Sequence, residues 1–369
     1  MLRSLGPIAL LLAVSCAQVV PRGVRPPQRE KKIFSVRWAK NYDSTYLPGN
    51  LPLTYGGVAS TPELLFVGAL DGGFEAIDVD TGRVLWHEQE TKSLAMAPML
   101  DGELVYYGTQ TGRLIVRQQR SGELKYAIDL GAPIESAPLL AQGRLFVYLR
   151  GHQLVCLDAA TGKIIWNYRR AIPVTVTLQR STRPLVVKNS VIVGFADGFV
   201  GALSLQEGSL LWEQKIAQTQ KFMDVDLNPV LMDGLVVTGP ATGDLVGLDP
   251  ASGAIRRRWP VQALSHPLLR PQSMVVGTSF GEVAFLGFTG EVLKKREVSK
   301  AGINHVMWWK DHVIAITLKG TLLALDPLTL DVVDRFELGH DQSAVFGDVA
   351  LSTENLGVLT SRNRVFFFQ

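Results

Sequence analysis

The stretch CLDAATGKIIW at residues 156–166 recurs along nearly the whole chain, and a second clear copy, AIDVDTGRVLW, occupies residues 76–86. Weaker copies centre on Gly122, Gly208, Gly253 (ending at Trp259) and Gly290, and a degenerate copy covers residues 324–336. The glycines from 82 to 290 follow one another at intervals of 40, 40, 46, 45 and 37 residues. A repeat of this length indicates a solenoid, a propeller or an array.

The content of one repeat distinguishes these architectures. Residues 97–130 contain four short apolar or β-branched runs, separated by turns at residues 101–102, 110–112 and 121–122. Such runs favour strands, and no helical periodicity interrupts them. A four-stranded meander repeated in this way predicts the blades of an all-β propeller.

Counting the copies predicts an eight-bladed β-propeller. The pair formed by the second and third strands occurs eight times, at residues 66–77, 105–116, 146–157, 192–203, 236–248, 275–286, 313–325 and 356–367. The last copy has no fourth strand before the chain ends at Gln369. We therefore predict that residues 33–38 complete the eighth blade and close the ring, which removes free sheet edges.

The repeated residues have structural roles in this interpretation. Most of these glycines follow Thr or Ser in the turn before the fourth strand, where a positive φ is often required, whereas Gly208 follows Glu207. The tryptophans of the outer strands, at positions 38, 86, 166, 212 and 259, are expected to pack between neighbouring blades. Cys156 occupies a position held elsewhere by Ala or Gly, so a buried structural thiol is expected there.

Composition is that of an ordered globular protein, with 47% hydrophobic and 19% charged residues. The net charge of +3 gives no indication of a nucleic-acid surface. The basic runs 256–258 and 294–296 are expected on solvated outer strands, where charge deters sheet pairing. We assign residues 33–369 to a single propeller domain.

The N-terminus resembles a bacterial lipoprotein signal. Arg3 precedes the apolar residues 8–14, which are too few to span a membrane, and Cys16 follows Ala-Val-Ser. The resemblance implies a signal peptide at residues 1–15 and acylation of Cys16, whereas Ala-Val-Ser also fits ordinary signal peptidase. Residues 16–32, rich in Pro and basic residues, would then tether the ring to a membrane.

No catalytic or metal-binding pattern is evident. The six His residues lack the spacing of a zinc site, and neither a nucleophile elbow nor a phosphate-binding Gly-rich loop is present. The repeat resembles the PQQ-like repeat of quinoprotein dehydrogenases, but the vicinal Cys pair of those enzymes is absent. These observations favour a non-enzymatic binding scaffold without a cofactor.

Two neighbouring connections between blades are longer than the others. From the outer-strand aromatic to the Pro that opens the next blade there are 12 residues after Trp86 and after Tyr126, but 18 after Trp166 and 17 after Trp212. Insertions in repeat proteins tend to cluster on one face, often the binding face. We therefore expect residues 174–182 and 221–228, which lie in these two connections, to be neighbours.

Each long connection contains a pair of alternating residues. Val176 and Leu178 would share one side of an extended segment, and so would the carboxylates of Asp224 and Asp226. An apolar pair beside an acidic pair is suited to protein docking, because burial supplies affinity and charge supplies register. Ordinary surface loops, with Asp side chains bonded to local backbone, remain the alternative.

With this leader and these paired segments, residues 33–369 resemble the BamB family, the propeller lipoproteins of the outer-membrane β-barrel assembly machinery. That family carries Leu-x-Leu-Arg and Asp-Val-Asp in the two connections, where they contact the barrel subunit, BamA. Residues 224–226 match the second motif, whereas Gln179 replaces the Arg of the first and Arg180 lies one position later.

The resemblance implies a periplasmic scaffold anchored by lipid to the inner leaflet of the outer membrane. Its expected partners are the periplasmic domains of a BamA-like protein and unfolded outer-membrane protein clients. The scaffold would either brace its partner or receive client strands at its sheet edges. A small PQQ-dependent dehydrogenase and a glycan-binding propeller are the competing hypotheses.

Overall fold

The structure is a computed structural model that describes residues 32–42, 54–90, 94, 96–171, 182–219, 221–339 and 343–369. Residues 33–369 form one compact unit. The described residues contain 32 strands in eight four-stranded antiparallel sheets, which is the predicted eight-bladed propeller. No helix among them is long and apolar enough to cross a membrane.

The first four blades are continuous meanders in which the first strand lies innermost. Their strands are β2 Val58–Ser60, β3 Leu64–Gly68, β4 Gly73–Asp78 and β5 Val84–Gln89; β6 Met99–Asp101, β7 Leu104–Gly108, β8 Arg113–Gln118 and β9 Leu124–Asp129; β10 Leu139–Ala141, β11 Arg144–Leu149, β12 Gln153–Asp158 and β13 Ile164–Arg169; and β14 Leu185–Val187, β15 Ser190–Gly194, β16 Phe199–Ser204 and β17 Leu210–Lys215.

The remaining blades follow the same order except at the end of the chain. Their strands are β18 Val230–Met232, β19 Leu235–Thr238, β20 Leu245–Leu248 and β21 Ile255–Trp259; β22 Leu268–Arg270, β23 Ser273–Gly277, β24 Glu282–Gly287 and β25 Val292–Glu297; β26 Ile303–Trp309, β27 His312–Thr317, β28 Thr321–Leu325 and β29 Val332–Glu337; and β30 Ala350–Leu351, β31 Leu356–Leu359, β32 Arg364–Phe368 and β1 Val36–Asn41.

The ring is closed by β1, as predicted. This strand pairs antiparallel with β32 and supplies the outer strand of the eighth blade, and the Trp38 ring stacks on Phe367 with centroids 5.0 Å apart. The strand begins three residues later than expected. Ile33 and Phe34 instead donate their backbone N–H groups to the Asp334 carboxylate, at 2.7 and 3.0 Å, which joins the first residues of the propeller unit to the seventh blade.

The Gly and Trp of the repeat contact each other across successive blades. Trp86 of the first blade donates its indole N–H to the carbonyl of Gln119, at 2.8 Å, in the second blade. Its ring also covers Gly122, where a Cβ would lie 2.8 Å from the ring and φ is +73°. The same packing joins Trp38 to Gly82, Tyr126 to Gly162, Trp166 to Gly208 and Trp212 to Gly253. The repeat therefore encodes the contact between blades as well as the turn.

The fifth blade departs from the predicted position of its aromatic residue. Arg257, rather than Trp259, pairs with Gly247 at the position that Trp212 holds opposite Ala202. Trp259 lies two residues later, where it is fully buried. Arg257 still bonds to the next blade, through the Phe288 carbonyl. The prediction that this copy ends at Trp259 is thus two positions late, because apolar character alone does not identify the register.

The spacing Asp-x-x-Thr, which recurs within the repeat, builds a turn. Asp158 accepts hydrogen bonds from the Thr161 N–H and hydroxyl, at 2.8 and 2.6 Å, and Asp78 and Thr81 repeat this geometry. The Thr161 hydroxyl, followed by the backbone N–H groups, holds the pKa of Asp158 below its usual range. The pKa values of Asp78, Asp249 and Asp326 are also lowered by hydrogen bonds in their turns.

We predict that these four carboxylates make an acid-sensitive contribution to the stability of the folded protein. Folding lowers the pKa of these carboxylates, so the stabilisation is fully present above their pKa in the unfolded chain, about 3.9. It is lost as the pH falls through their pKa values in the folded protein. We expect the combined variant D78N/D158N/D249N/D326N to have a lower Tm than the unsubstituted chain at about pH 5 and a smaller further loss by about pH 3. Parallel Tm curves for the two chains would contradict this assignment.

Cys156 is fully buried between the third and fourth blades, as predicted for a structural thiol. Burial raises the pKa of its thiol to about 11. The neutral thiol therefore predominates at physiological pH, so the side chain acts as a small apolar group in the core.

Candidate docking site

The second expected docking segment, residues 221–228, lies at one end of the blades. In a four-stranded antiparallel meander, the turn between the second and third strands emerges at the same end as the connection to the next blade. This end, called the docking face below, carries the connection at residues 216–229 and the turns at residues 195–198 and 240–243. The turn at residues 326–331 lies at the opposite end.

Residues 221–228 are fixed to the turns of two blades. Val225 donates its N–H to the Phe195 carbonyl of the fourth blade, at 3.2 Å, and also forms a β-bridge with Pro240 of the fifth. The Ala241 N–H donates to the Asp224 carbonyl at 2.8 Å. The backbone of this segment is therefore held at both sides and has a defined shape.

The two aspartates of this segment differ in exposure. Asp224 is 0% exposed, whereas Asp226 is partly buried. Val225 and Leu227, which alternate with them, are buried in the cores of the blades. The pair is thus not the exposed acidic pair that the alternation suggested, because the segment packs against the ring on the side of Asp224 as well.

Asp224 makes the smallest of three carboxylate contributions to the pKa values of two side chains of the third blade. Burial lowers the pKa of the His152 imidazole, and the carboxylates of Glu135, Asp197 and Asp224 oppose that shift. Tyr148 lies in the same field: its pKa is raised first by burial and then by the same three carboxylates. Asp224 therefore contributes to the electrostatics of a buried region that joins the third and fourth blades to the connection.

The exposed tip of the connection is formed by residues that sequence analysis did not single out. Lys221 and Phe222 are exposed, and Phe222 leaves 41% of its surface in solvent at a positive φ of 53°. The Thr242 hydroxyl donates to the Phe222 carbonyl at 3.2 Å and holds this conformation. The sequence signal that could have indicated this tip is the aromatic residue between Lys and Met in a lengthened connection.

The first expected docking segment lies largely outside the described residues. This applies to Val176, Leu178, Gln179 and Arg180. Cys16 and the leader also lie outside the described residues. The described end of this connection begins at Thr182, which is fully buried. The next residue, Arg183, donates its N–H to the Asn228 side-chain carbonyl at 2.7 Å. The two long connections therefore meet at their C-terminal ends.

Arg183 also crosses the ring axis. Its guanidinium pairs with Asp348, which lies in the eighth blade, opposite the fourth. The Asp348 backbone carbonyl accepts the Val58 N–H of the first blade at 3.0 Å. This pair borders an axial cavity of about 490 Å³ lined by the inner strands β2, β6, β26 and β30.

Two side chains of the axial cavity bond to the backbone of the eighth blade. Asn304 donates to the Val345 carbonyl, and His305 contacts the Gly347 carbonyl at 3.1 Å. These bonds fix the segment that leads into the inner strand of the eighth blade. Among the described residues, no group of three or more His, Cys, Asp or Glu side chains is placed to hold a metal ion.

Comparison with known proteins supports one family. The family model described as outer membrane protein assembly factor BamB matches residues 36–117 and 70–284, together more than half of the chain. The BamB protein of Yersinia pestis is 26% identical over 208 residues, covering 52% of this chain and 53% of that protein. The BamB protein of Burkholderia pseudomallei (strain K96243) is 25% identical over 317 residues, covering 83% and 82%.

Solved structures show the same fold. The crystal structure of BamB from Moraxella catarrhalis superposes with a TM-score of 0.77 at 17% identity, covering 91% of this chain and 100% of that chain. A quinohemoprotein alcohol dehydrogenase from Pseudomonas putida HK5 also superposes, with a TM-score of 0.68 at 10% identity, covering 91% and 76%. Because propellers of different activity share this architecture, these superpositions support the fold and nothing further.

Proposed function

The chain belongs to the BamB family of outer membrane protein assembly factors, and from this premise we propose that it acts in outer-membrane protein assembly as a non-enzymatic periplasmic scaffold. The family match is the observation that carries this proposal. It is supported by the two lengthened connections, which meet through Arg183 and Asn228 on the docking face.

The proposed partner is a BamA-like barrel assembly protein, bound through its periplasmic domains. Residues 174–182, with Val176, Leu178, Gln179 and Arg180, supply the apolar and basic part of the contact. Phe222 supplies an exposed aromatic anchor and Asp226 a partly exposed carboxylate. Aromatic anchors surrounded by polar contacts are typical of the residues that dominate binding energy.

Asp224 has an indirect role in this proposal. Because its side chain is fully buried, it supports the shape of the connection and the field around Tyr148 rather than touching a partner directly. Cys16 is the proposed site of lipid attachment, and the following residues tether the ring to the inner leaflet of the outer membrane. Unfolded outer-membrane proteins are the proposed clients.

Docking is tested by measuring the affinity of the purified protein for the periplasmic domains of the BamA-like protein from the same organism. We expect Phe222→Ala to weaken binding about 10- to 30-fold, as for a central aromatic contact. The Tm should change little, because Phe222 contributes little to the core. Asp226→Asn should weaken binding less, since its carboxylate is only partly exposed.

The matched control is Leu328→Ala, which removes a side chain that is 79% exposed at the opposite end of the blades. Its affinity should equal that of the unsubstituted chain. Binding that is unaffected by Phe222→Ala would exclude this tip from the interface. Failure of the unsubstituted protein to bind would reject the proposed partner.

A further inference from the structure

The outer strands differ in how their edges are protected. Each of the eight is the last strand of its sheet and therefore presents unpaired backbone groups at the rim. Seven carry charged or titratable residues between their first and last positions: Arg37 and Lys40 in β1, His87 and Glu88 in β5, Lys125 in β9, Glu213 in β17, residues 256–258 in β21, residues 294–296 in β25, and residues 334–335 in β29.

The outer strand of the third blade has no such protection. Its interior residues, 165–168, are Ile, Trp, Asn and Tyr, and its only charge is Arg169 at the end. Ile164 and Ile165 leave 49% and 43% of their surfaces exposed, and Asn167 is exposed as well. Since charge at an edge is the usual means of preventing strand pairing, β13 is the rim position most open to another strand.

The ladder identifies the backbone groups that would form the new bonds. Arg170 donates its backbone N–H to the His152 backbone carbonyl, at 3.0 Å, towards β12. Bonding alternates along an antiparallel pair, so Tyr168 also faces β12, whereas Asn167 and Arg169 direct their N–H and C=O groups away from it. The edge therefore offers two donors and two acceptors, spaced for an antiparallel strand.

The position of β13 connects this edge to the proposed docking site. The strand leads directly into the first long connection, and Asn167 precedes residue 174 by seven residues. Seven extended residues span at most about 25 Å. A strand bound at β13 would thus lie close to whatever protein binds that connection.

We propose that the edge of β13 receives an extended client segment by antiparallel strand addition. The client class is an unfolded outer-membrane barrel strand, which has few charges at its centre and alternates apolar with polar residues. The interior of this edge is uncharged and accepts such a strand without burying a charge, while the charged interiors of the other outer strands disfavour it. This inference rests on the proposed function in assembly and names the substrate site that the function requires.

The test uses full-length protein with a benzophenone amino acid at position 169, and a urea-unfolded outer-membrane barrel protein as the probe. The control places the crosslinker at position 297, which occupies the equivalent place in β25. We expect at least about fivefold more crosslinking from position 169, because charged edges disfavour pairing. Equal crosslinking from both positions would overturn the proposal.

A second experiment removes one backbone hydrogen-bond donor from the edge of β13. Asn167→Pro eliminates an outward N–H without breaking the ladder to β12, because Pro is tolerated where the N–H faces solvent. Crosslinking from position 169 should fall several-fold, while Lys295→Pro, the matched change in β25, should leave it unchanged. Persistence of the crosslink in the Asn167→Pro variant, at an unchanged Tm, would refute strand addition.

The outcomes separate this proposal from docking. The Asn167→Pro variant should bind the periplasmic domains of the BamA-like protein with unchanged affinity. If the barrel probe crosslinks but those domains do not bind, the proposed docking is rejected and the proposed client site at β13 is retained. Crosslinking of β13 to a second copy of this chain, in place of the probe, would show self-association and reject the client.

Discussion

Removal of residues 1–42 is expected to destabilise the propeller by more than about 5 kcal/mol, because a single buried Phe or Trp is already worth about 3–5 kcal/mol. The deletion removes β1, and with it Phe34, which is 4% exposed in a core that includes Trp309 and Phe368. It also exposes β32 as a new apolar edge. The Tm should fall by roughly 7 °C or more.

The side chains of the closing strand explain why the effect reaches the first blade. Trp38 donates its indole N–H to the Val79 carbonyl at 2.9 Å. Tyr42 donates its hydroxyl to Glu75 at 2.6 Å, and the Lys40 ammonium lies 3.1 Å from the same carboxylate. Loss of β1 therefore breaks the contact between the eighth and first blades together with the sheet.

The control is a chain that begins at residue 32 and so retains β1. Thermal unfolding of the two shortened chains, followed by near-UV circular dichroism, separates loss of the strand from loss of the leader. Equal Tm values for the two would show that β1 does not close the ring in solution. Concentration-dependent oligomers of the shorter chain would be consistent with its exposed edge.

Gly122→Ala is expected to cost about 2–5 kcal/mol, the sum of two penalties. A left-handed backbone costs about 1–2 kcal/mol for an L-residue, and displacement of a packed side chain about 1–3 kcal/mol. Gly122 has φ of +73°, and a Cβ there would lie 2.8 Å from the Trp86 ring. The ring would have to move, which would also disturb its bond to Gln119.

Gly234→Ala is the matched control for this substitution. Its φ of +74° is nearly the same, but a Cβ there meets nothing within 4 Å. It should therefore lose only the backbone penalty of about 1–2 kcal/mol. Chemical unfolding gives both values, and their difference measures the packing between blades. Equal losses would show that Trp86 adjusts without cost, and would remove the physical reason for the Gly in the repeat.

The strand pattern and blade number could be predicted because they depend on local sequence. Turn residues and β-branched runs recur in each copy of the repeat, so the eight sheets follow from counting. The closing strand was predictable by elimination, since the last copy lacks a partner. Its start was misplaced because Ile33 and Phe34 bond to Asp334, some 300 positions away.

The docking site was less predictable. Connection length indicated which segments differ from the repeat, but length carries no information about exposure. Asp224 and Asp226 alternate as an exposed pair would, yet Asp224 is buried because the connection is bonded to turns of two blades. Phe222 was overlooked because its exposure depends on a positive φ that no local pattern indicates.

The amino-acid sequence by itself determined the propeller, its eight blades, its closure and the family to which it belongs. These features repeat, and repetition makes weak local preferences cumulative. Only the tertiary structure decided which residues of the connections reach solvent, that Arg183 pairs with Asp348 across the axis, and which groups of β13 face outwards. Each depends on contacts between blades, which arise when the ring closes and which no single repeat contains.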